Sequence, residues 1–294
     1  MSKCFDCPRK CGGERENFSG FCKSGEKAKV SKAYLHLWEE PCISGENGSG
    51  TVFFSGCNLR CCFCQNHKIS HENFGVEISD KRLSEIFLQL QEKGAHNINL
   101  VTPSHFSKNI INALDLVKDK LSIPVCYNTS GYDDAEIIKA LDPYVDIYLT
   151  DIKFFDSGLS KKYMNCPDYF EKVKKSLDLM IKTKGKPLFE NGLLKKGVII
   201  RHLVMPCCYR DSLSILEFLN ENYSKEDFLF SLMSQYTPMG YIEDFPELKR
   251  TVTTYEYEKV LKKAEEYSFE GYFQNKTSVG ENFIPDFDLT GIDF

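Results

Sequence analysis

The chain has 294 residues, of which 42% are hydrophobic and 27% charged, with a formal net charge of −5. This composition supplies a sizeable core, which excludes a disordered chain, and the acidic balance argues against a broad nucleic-acid-binding face. The sequence shows neither an apolar run of transmembrane length nor a signal-peptide stretch at its start. We therefore expect a soluble, cytoplasmic protein whose thirteen cysteines serve metal or redox chemistry rather than disulfides.

Residues 1–45 form a Cys-rich segment with little apolar periodicity. Its cysteines are Cys4, Cys7, Cys11 and Cys22, and the first three follow the pattern Cys-x2-Cys-Pro-Arg-x-Cys. Four thiols are enough to close a metal site, and a bound metal would hold a segment that lacks a core of its own. We expect an auxiliary iron–sulfur cluster or zinc here rather than four free thiols, with Cys42 as an alternative ligand.

Residues 46–280 alternate between short apolar runs and helical patterns. Strands are predicted at 51–55, 97–101, 124–127, 145–149, 198–204, 227–233 and 271–274. Helices are predicted near 79–93, 107–119, 133–141, 168–184, 211–222 and 254–267, with an exposed loop at 182–196. Such alternation implies right-handed βαβ units and a parallel sheet. About six units are too few to close an eight-fold barrel. The sequence therefore predicts an α/β fold, a partial (β/α)6 barrel of parallel strands, followed by an acidic, aromatic tail at 281–294.

Three cysteines follow the first predicted strand at the spacing Cys57-x3-Cys61-x2-Cys64. Three thiolates can hold three irons of a [4Fe–4S] cluster and leave the fourth iron open for a reacting ligand. Cys62 adjoins Cys61, and neighbouring residues on a tight loop rarely point at one ion. The ring of Phe63 is suited to pack on an adenine. We interpret the loop as the site where S-adenosylmethionine (SAM) binds and is cleaved; a zinc knuckle or buried reduced thiols are the alternatives.

Polar residues recur where the later strands end, the edge at which parallel sheets bind ligands. A strand's alternation places Asp151 and Lys153 on one face, where an unpaired charge would be costly. Arg201 interrupts an apolar run, and its guanidinium suits a carboxylate. The remaining candidate residues for cofactor binding are Thr102, Ser104, Asn128 and Ser130.

The sequence resembles the radical SAM superfamily. The run Phe54-Ser-Gly-Cys-Asn-Leu-Arg-Cys-Cys-Phe-Cys-Gln-Asn66 is similar to the branch related to pyruvate formate-lyase activating enzyme. Leu37-Trp-Glu-Glu-Pro-Cys-Ile-Ser-Gly45, Val101-Thr-Pro-Ser-His-Phe106 and Arg201-His-Leu-Val-Met-Pro206 extend the resemblance to the PflX-like proteins of that branch. The resemblance covers nearly the whole chain.

This resemblance implies a partial barrel, a [4Fe–4S] cluster and SAM. It assigns Asp151 and Lys153 to SAM contacts, Asn128 and Ser130 to the ribose, and Arg201 to the methionine carboxylate. Where the family usually carries Gly-Gly-Glu to grip the SAM amino group, this chain has Thr-Pro-Ser-His at 102–105.

The function predicted from these features is reductive cleavage of SAM to a 5′-deoxyadenosyl radical that abstracts a hydrogen atom. A glycine Cα in a partner protein, as for a glycyl-radical-enzyme activase, is the first choice of substrate. Another peptide, a small molecule or RNA is the alternative, and a non-catalytic metal-binding or electron-transfer protein is a more distant one. A low-potential donor such as flavodoxin or ferredoxin would supply the electron.

Overall fold

The computed structural model describes residues 3–274 and 285–292. In these residues the backbone is organised around one sheet whose strands follow the order β10-β9-β8-β6-β5-β4-β2-β1-β3. The strands that run parallel to one another are Ser49–Phe54 (β2), Ile98–Val101 (β4), Val125–Thr129 (β5), Ile147–Asp151 (β6), Leu193–Leu203 (β8), Leu229–Met233 (β9) and Gly271–Phe273 (β10). The antiparallel strands are Ala28–His36 (β1), Val76–Ile78 (β3) and Leu188–Glu190 (β7).

Helices fill the connections between the parallel strands. Their bounds are Pro41–Ser44 (α1), His67–Ser70 (α2), Asp80–Glu92 (α3), Ser107–Asp115 (α4), Ala135–Leu141 (α5), Ser157–Met164 (α6), Tyr169–Lys184 (α7), Tyr209–Asn222 (α8) and Thr254–Glu266 (α9). Strand–helix–strand units with parallel neighbours confirm the predicted α/β fold class. None of the helices in the described ranges is long and apolar enough to cross a membrane.

The sheet has two differently packed faces, and the inner one positions the site. On the inner face Ile147 and Leu149 pack with Cys42 and Ile43 of α1, so this short helix covers the beginnings of the strands. The alternation of β6 brings Asp151, its last residue, to the same face as those two apolar residues. The inner face is therefore apolar at the strand beginnings and polar at the strand ends.

Several elements differ from the sequence-based expectations. Strand β1 lies inside the 1–45 segment and pairs with β2; it was not predicted because Lys29 and Lys32 interrupt its apolar pattern. The loop predicted at 182–196 instead contains the end of α7 and the hairpin of β7 with β8. Helix α8 begins at Tyr209, two residues before the predicted start, and Asp211 lies in its first turn, where it accepts hydrogen bonds from the backbone N–H groups of residues 155 and 156.

A serine side chain caps the first helix predicted in the barrel. The Ser79 hydroxyl accepts a hydrogen bond from the Arg82 backbone N–H at 3.1 Å, at the start of α3. The boundaries proposed at residues 45 and 280 remain predictions. Of the tail at 281–294, residues 281–284 and 293–294 lie outside the described residues.

Candidate functional site

A cavity of about 210 Å³ lies at the C-terminal ends of the strands. All three motif cysteines, Cys57, Cys61 and Cys64, line it, because the loop that carries them follows the C-terminal end of β2. The predicted residues that share this lining are Phe63, Thr102, Asn128, Ser130, Asp151, Lys153 and Arg201. The fold thus gathers almost the whole predicted site around one space.

Hydrogen bonds fix the conformation of the three-cysteine loop. The Leu59 N–H donates to Cys57 Sγ at 3.3 Å, and the Ser70 hydroxyl donates to Cys64 Sγ at 3.2 Å. Cys62 is absent from the cavity lining, and its backbone N–H donates to the Tyr163 carbonyl at 2.8 Å. Three thiols, not four, therefore face the cavity.

This donor set fits a [4Fe–4S] cluster with one open iron. In the described residues no three or more His, Cys, Asp or Glu side chains are close enough to hold a single metal ion. A cluster does not require that convergence, because each cysteine binds a different iron. Burial raises the pKa of Cys57 to about 11 and raises that of Cys61 well above its usual range, while Lys153 acts to lower the pKa of Cys61. The loop therefore holds neutral thiols that release protons when a metal binds.

A charged network forms the wall opposite the cysteines. Lys153 Nζ lies 2.6 Å from Asp151 Oδ2, and Arg201 Nε donates to Asp151 Oδ1 at 2.9 Å. Arg201 Nη2 also donates to Asn128 Oδ1 at 2.6 Å. Burial acts to raise the pKa of Asp151, but Arg201 and Lys153 together hold it below its usual range. Asp151 is therefore an anion that keeps two cations in place at the cavity wall.

Three further predicted residues, Thr102, Ser130 and Phe63, line the cavity. Thr102 follows β4 with a φ of 60°, a left-handed conformation that is unusual for a β-branched residue. Ser130 follows β5 and precedes Gly131, whose φ is 79° and where an added Cβ would lie 2.5 Å from the Asp151 carbonyl oxygen. Only glycine fits this close approach of two strand ends. Phe63 lines the cavity and packs edge-on against Phe154 at 6.0 Å between ring centroids.

Ser104 is the one predicted cofactor-binding residue that the fold does not bring to the cavity. Its side chain is buried, and its hydroxyl lies 3.4 Å from Thr129 Oγ1. Thr129 in turn donates to Asp133 at 2.5 Å. Ser104 thus belongs to a buried hydrogen-bond cluster beneath the strand ends.

Sequence reasoning missed Glu39 and Glu40 as site residues. Glu39 Oε2 lies 3.2 Å from Arg201 Nη1, and Glu39 Oε1 accepts hydrogen bonds from Asn99 and Asn128. Burial raises the pKa of Glu39, while Arg201 acts to lower it. The signal in the sequence was a pair of carboxylates placed between Trp38 and the apolar turn at 41–44.

The N-terminal cysteines lie beside the three-cysteine loop. An added Cβ at Gly20 would lie 3.8 Å from Cys11 Sγ and 3.9 Å from Cys22 Sγ, so these two thiols lie close together. Burial raises the pKa of Cys7 to about 12. Gly56, directly before the loop, has a φ of 79°, and an added Cβ there would lie 2.7 Å from the Cys22 carbonyl oxygen. The predicted second metal site and the cavity are therefore adjacent.

Comparison with known proteins identifies the family. A model of the radical SAM superfamily matches residues 51–204, which is 154 of the 294 residues. The chain belongs to the radical SAM superfamily. The matched range contains the three-cysteine loop, Asp151, Lys153 and Arg201. Membership in the radical SAM superfamily implies an enzyme with a [4Fe–4S] cluster and SAM as its cofactors.

One curated relative extends the similarity beyond the matched domain. The uncharacterized protein MJ0674 of Methanocaldococcus jannaschii is 32% identical over 283 residues, which cover 92% of this chain and 76% of the relative. The similarity therefore extends beyond the matched range of residues 51–204.

The fold is similar, at low sequence identity, to that of one solved protein in its peptide-bound form, and two further solved structures match at lower TM-scores. Streptococcus suis SuiB bound to the precursor peptide SuiA is 15% identical with a TM-score of 0.50, covering 74% of this chain and 46% of SuiB. SuiB bound to S-adenosylmethionine has a TM-score of 0.48 at 15% identity, with 74% and 47% covered. A domain of pyruvate-formate lyase-activating enzyme from Bacteroides vulgatus has a TM-score of 0.42 at 12% identity, with 58% and 92% covered. The chain spans about half the length of SuiB.

Proposed function

We propose that this protein binds a [4Fe–4S] cluster through Cys57, Cys61 and Cys64 and reductively cleaves SAM bound beside it. The observation that carries the proposal is the cavity itself, which brings these three thiols and the strand-end residues Asp151, Lys153 and Arg201 to one lining. With the cluster and SAM bound, the site would supply a 5′-deoxyadenosyl radical that takes a hydrogen atom from a substrate.

The residues of the chain would bind and orient SAM. Arg201 is suited to the methionine carboxylate, because a guanidinium presents several N–H donors to a carboxylate. Asn128 and Ser130 offer hydrogen bonds to the ribose hydroxyls, and Phe63 offers a ring face to the adenine. Thr102, Asp151 and Lys153 also line the cavity and are the remaining residues proposed to contact SAM. Ser104 is not among the proposed SAM contacts, because its hydroxyl lies beside Thr129 and does not line the cavity.

For the substrate, we propose a protein or peptide, with a glycine Cα of a partner protein as the first candidate. Two observations support a substrate larger than SAM alone. A second chamber adjoins the cavity, and the fold of SuiB occurs in complex with a precursor peptide. The resemblance of the sequence to the PflX-like proteins favours an activase-like role.

We further propose that Cys4, Cys7, Cys11 and Cys22 hold a second iron–sulfur cluster, with zinc as the alternative. Among the described residues these thiols do not converge on one point, so zinc would require them to move together, whereas a cluster binds each thiolate at a different iron. The approach of Cys11 and Cys22 at Gly20 and the contact of this segment with Gly56 support the proposal. All thirteen cysteines are free thiols, which suits a reducing, cytoplasmic setting with flavodoxin or ferredoxin as the electron donor.

Anaerobic reconstitution tests the proposal. Iron, sulfide and zinc are counted in the wild-type protein and in a C4S/C7S variant, and the reduced cluster is examined by electron paramagnetic resonance with and without SAM. We expect the signal of the [4Fe–4S] cluster at the three-cysteine loop to change on addition of SAM, and we expect the C4S/C7S variant to lose only the additional iron–sulfur cluster or zinc. A signal that SAM leaves unchanged would count against SAM binding at the cluster.

A further inference from the structure

A second chamber of about 200 Å³ adjoins the cofactor cavity on the inner face of the sheet. Asn66, Asn128, Arg201 and Gln235 line both spaces, so the two are adjacent. The second chamber alone is lined by Glu39 and Glu40. A group bound there would lie next to SAM without occupying its place.

Glu40 carries an unsatisfied acceptor in this chamber. Its side chain is only 9% exposed, and Oε2 has no hydrogen-bond partner in the described part of the chain. Burial raises the pKa of Glu40, with Arg201 acting in the opposite direction. A buried carboxylate oxygen without a donor is costly unless a ligand supplies one.

A second acceptor without a partner lines the same chamber. Asn66 Oδ1 is buried, and no donor reaches it from the described residues. Both open positions are oxygens. A ligand that satisfies them must therefore donate several N–H or O–H bonds rather than accept them.

Glu40 also lacks a cationic partner. Arg201 forms ion pairs with Glu39 at 3.2 Å and with Asp151 at 2.9 Å, whereas no Lys or Arg of the described residues pairs with Glu40. His36 lines the chamber, but burial lowers its pKa to about 4, so it supplies no positive charge at neutral pH. The exposed side chain of Trp38, also in the lining, offers an aromatic face of the kind that attracts cations.

We propose that this chamber receives an ammonium or guanidinium group of the substrate, with Glu40 as its anchoring carboxylate. The proposal rests on the proposed function, since the chamber adjoins the cavity where the hydrogen atom would be taken. SAM also carries positive charge, but Glu40 does not line the cofactor cavity. The same cationic group can come from a Lys or Arg side chain of a peptide or from a free amine.

Binding of matched probes to the reconstituted enzyme with SAM bound and the cluster oxidised tests this proposal. The probes are Nα-acetyl-lysine amide, Nα-acetyl-arginine amide, the neutral Nα-acetyl-norleucine amide and 1,5-diaminopentane, each followed by calorimetry or ligand-observed NMR. We expect a cationic probe to bind at least tenfold more tightly than the norleucine probe. Tighter binding of the amino-acid amides than of the diamine would indicate a peptide source, and the reverse order a free amine.

The variants E40Q and E46Q separate the site from general charge effects. E40Q should remove the preference for the cationic probe, whereas E46Q, which alters an exposed carboxylate on the turn after α1, should retain it. Equal binding of the norleucine probe, or a full preference in E40Q, would overturn the proposal. If E40Q does not fold, the comparison of the lysine and norleucine probes on the wild-type protein still tests the proposal.

Formation of 5′-deoxyadenosine is measured in the same wild-type preparation. SAM cleavage without any preference for cations would overturn the chamber's assignment alone. Absence of SAM cleavage would instead overturn the proposed function.

Discussion

Arg201 Nη1 lies 3.2 Å from Glu39 Oε2, although the two residues are 162 positions apart in the chain. The contact joins the segment before α1 to the end of β8 at the wall of the cofactor cavity. The Arg201 guanidinium uses a different nitrogen for each of three partners, Asp151, Glu39 and Asn128. Its planar fork is thereby fixed in one orientation.

Replacing this fork should weaken SAM binding. R201K keeps the positive charge, but a single ammonium cannot reach three separate partners with the same geometry. We expect the Kd for SAM to rise at least tenfold, equivalent to about 1.4 kcal/mol, measured by calorimetry on the reconstituted protein. R210K, an exposed arginine on α8, is the control and should bind SAM as the wild type does. An unchanged Kd in R201K would exclude Arg201 from the SAM site.

The N-terminal segment should protect the three-cysteine loop. Arg9 donates to the carbonyl oxygens of Asn58 and Asn165, both at 2.8 Å, and its guanidinium lies 4.1 Å from the Phe21 ring centroid. R9A removes both bonds and the stacking, so amide hydrogen exchange at residues 57–60 should accelerate at least tenfold.

The matched control for this experiment is K10A. Lys10 is exposed and pairs with Asp134 at 3.6 Å, away from the loop. Exchange at 57–60 should not change in K10A. Equal protection in R9A and the wild type would show that the segment does not hold the loop.

Folding stability should fall on acidification partly because of His202. This ring is 2% exposed, with Nδ1 2.7 Å from the Ile152 carbonyl oxygen and Nε2 2.8 Å from Ser212 Oγ. Burial lowers its pKa to about 4. The unfolded chain, with an ordinary histidine pKa, therefore binds more protons between pH 6.5 and 4, so this stabilisation is complete above that range and is lost as pH falls through it.

The variant H202N isolates this contribution. It should be less stable than the wild type at pH 7, and the difference in unfolding free energy should shrink by about 2 kcal/mol at pH 5. Urea unfolding at the two pH values measures it. A difference that stays constant with pH would show that His202 does not titrate as its burial requires.

Local patterns were enough to predict the parallel strands of the sheet and most of the residues that line the cavity. Asp151, Lys153 and Arg201 were found because parallel strands end at the same edge, so a position along the strand specifies a position in space. The three cysteines share one short loop, and their proximity followed from spacing alone. Cys62 was correctly separated from them for the same reason, since adjacent side chains diverge.

The positions of the Glu39 and Ser104 side chains could not be predicted from local sequence patterns. The place of Glu39 depends on α1 entering the inner face of the sheet and on a partner far away in sequence, which no local period encodes. The direction of the Ser104 hydroxyl depends on a short 3-10 turn at residues 104–106, which points it toward Thr129. Both outcomes follow from tertiary packing rather than from residue type.

The central claim is that three thiols of one loop hold a cluster at which SAM is cleaved. Its most direct test is the yield of 5′-deoxyadenosine from SAM and dithionite with reconstituted wild-type, C61A and C62A proteins. We predict product from the wild type and from C62A, because Cys62 does not line the cavity, and none from C61A. Product from C61A at the wild-type level, or none from the wild type, would contradict the account.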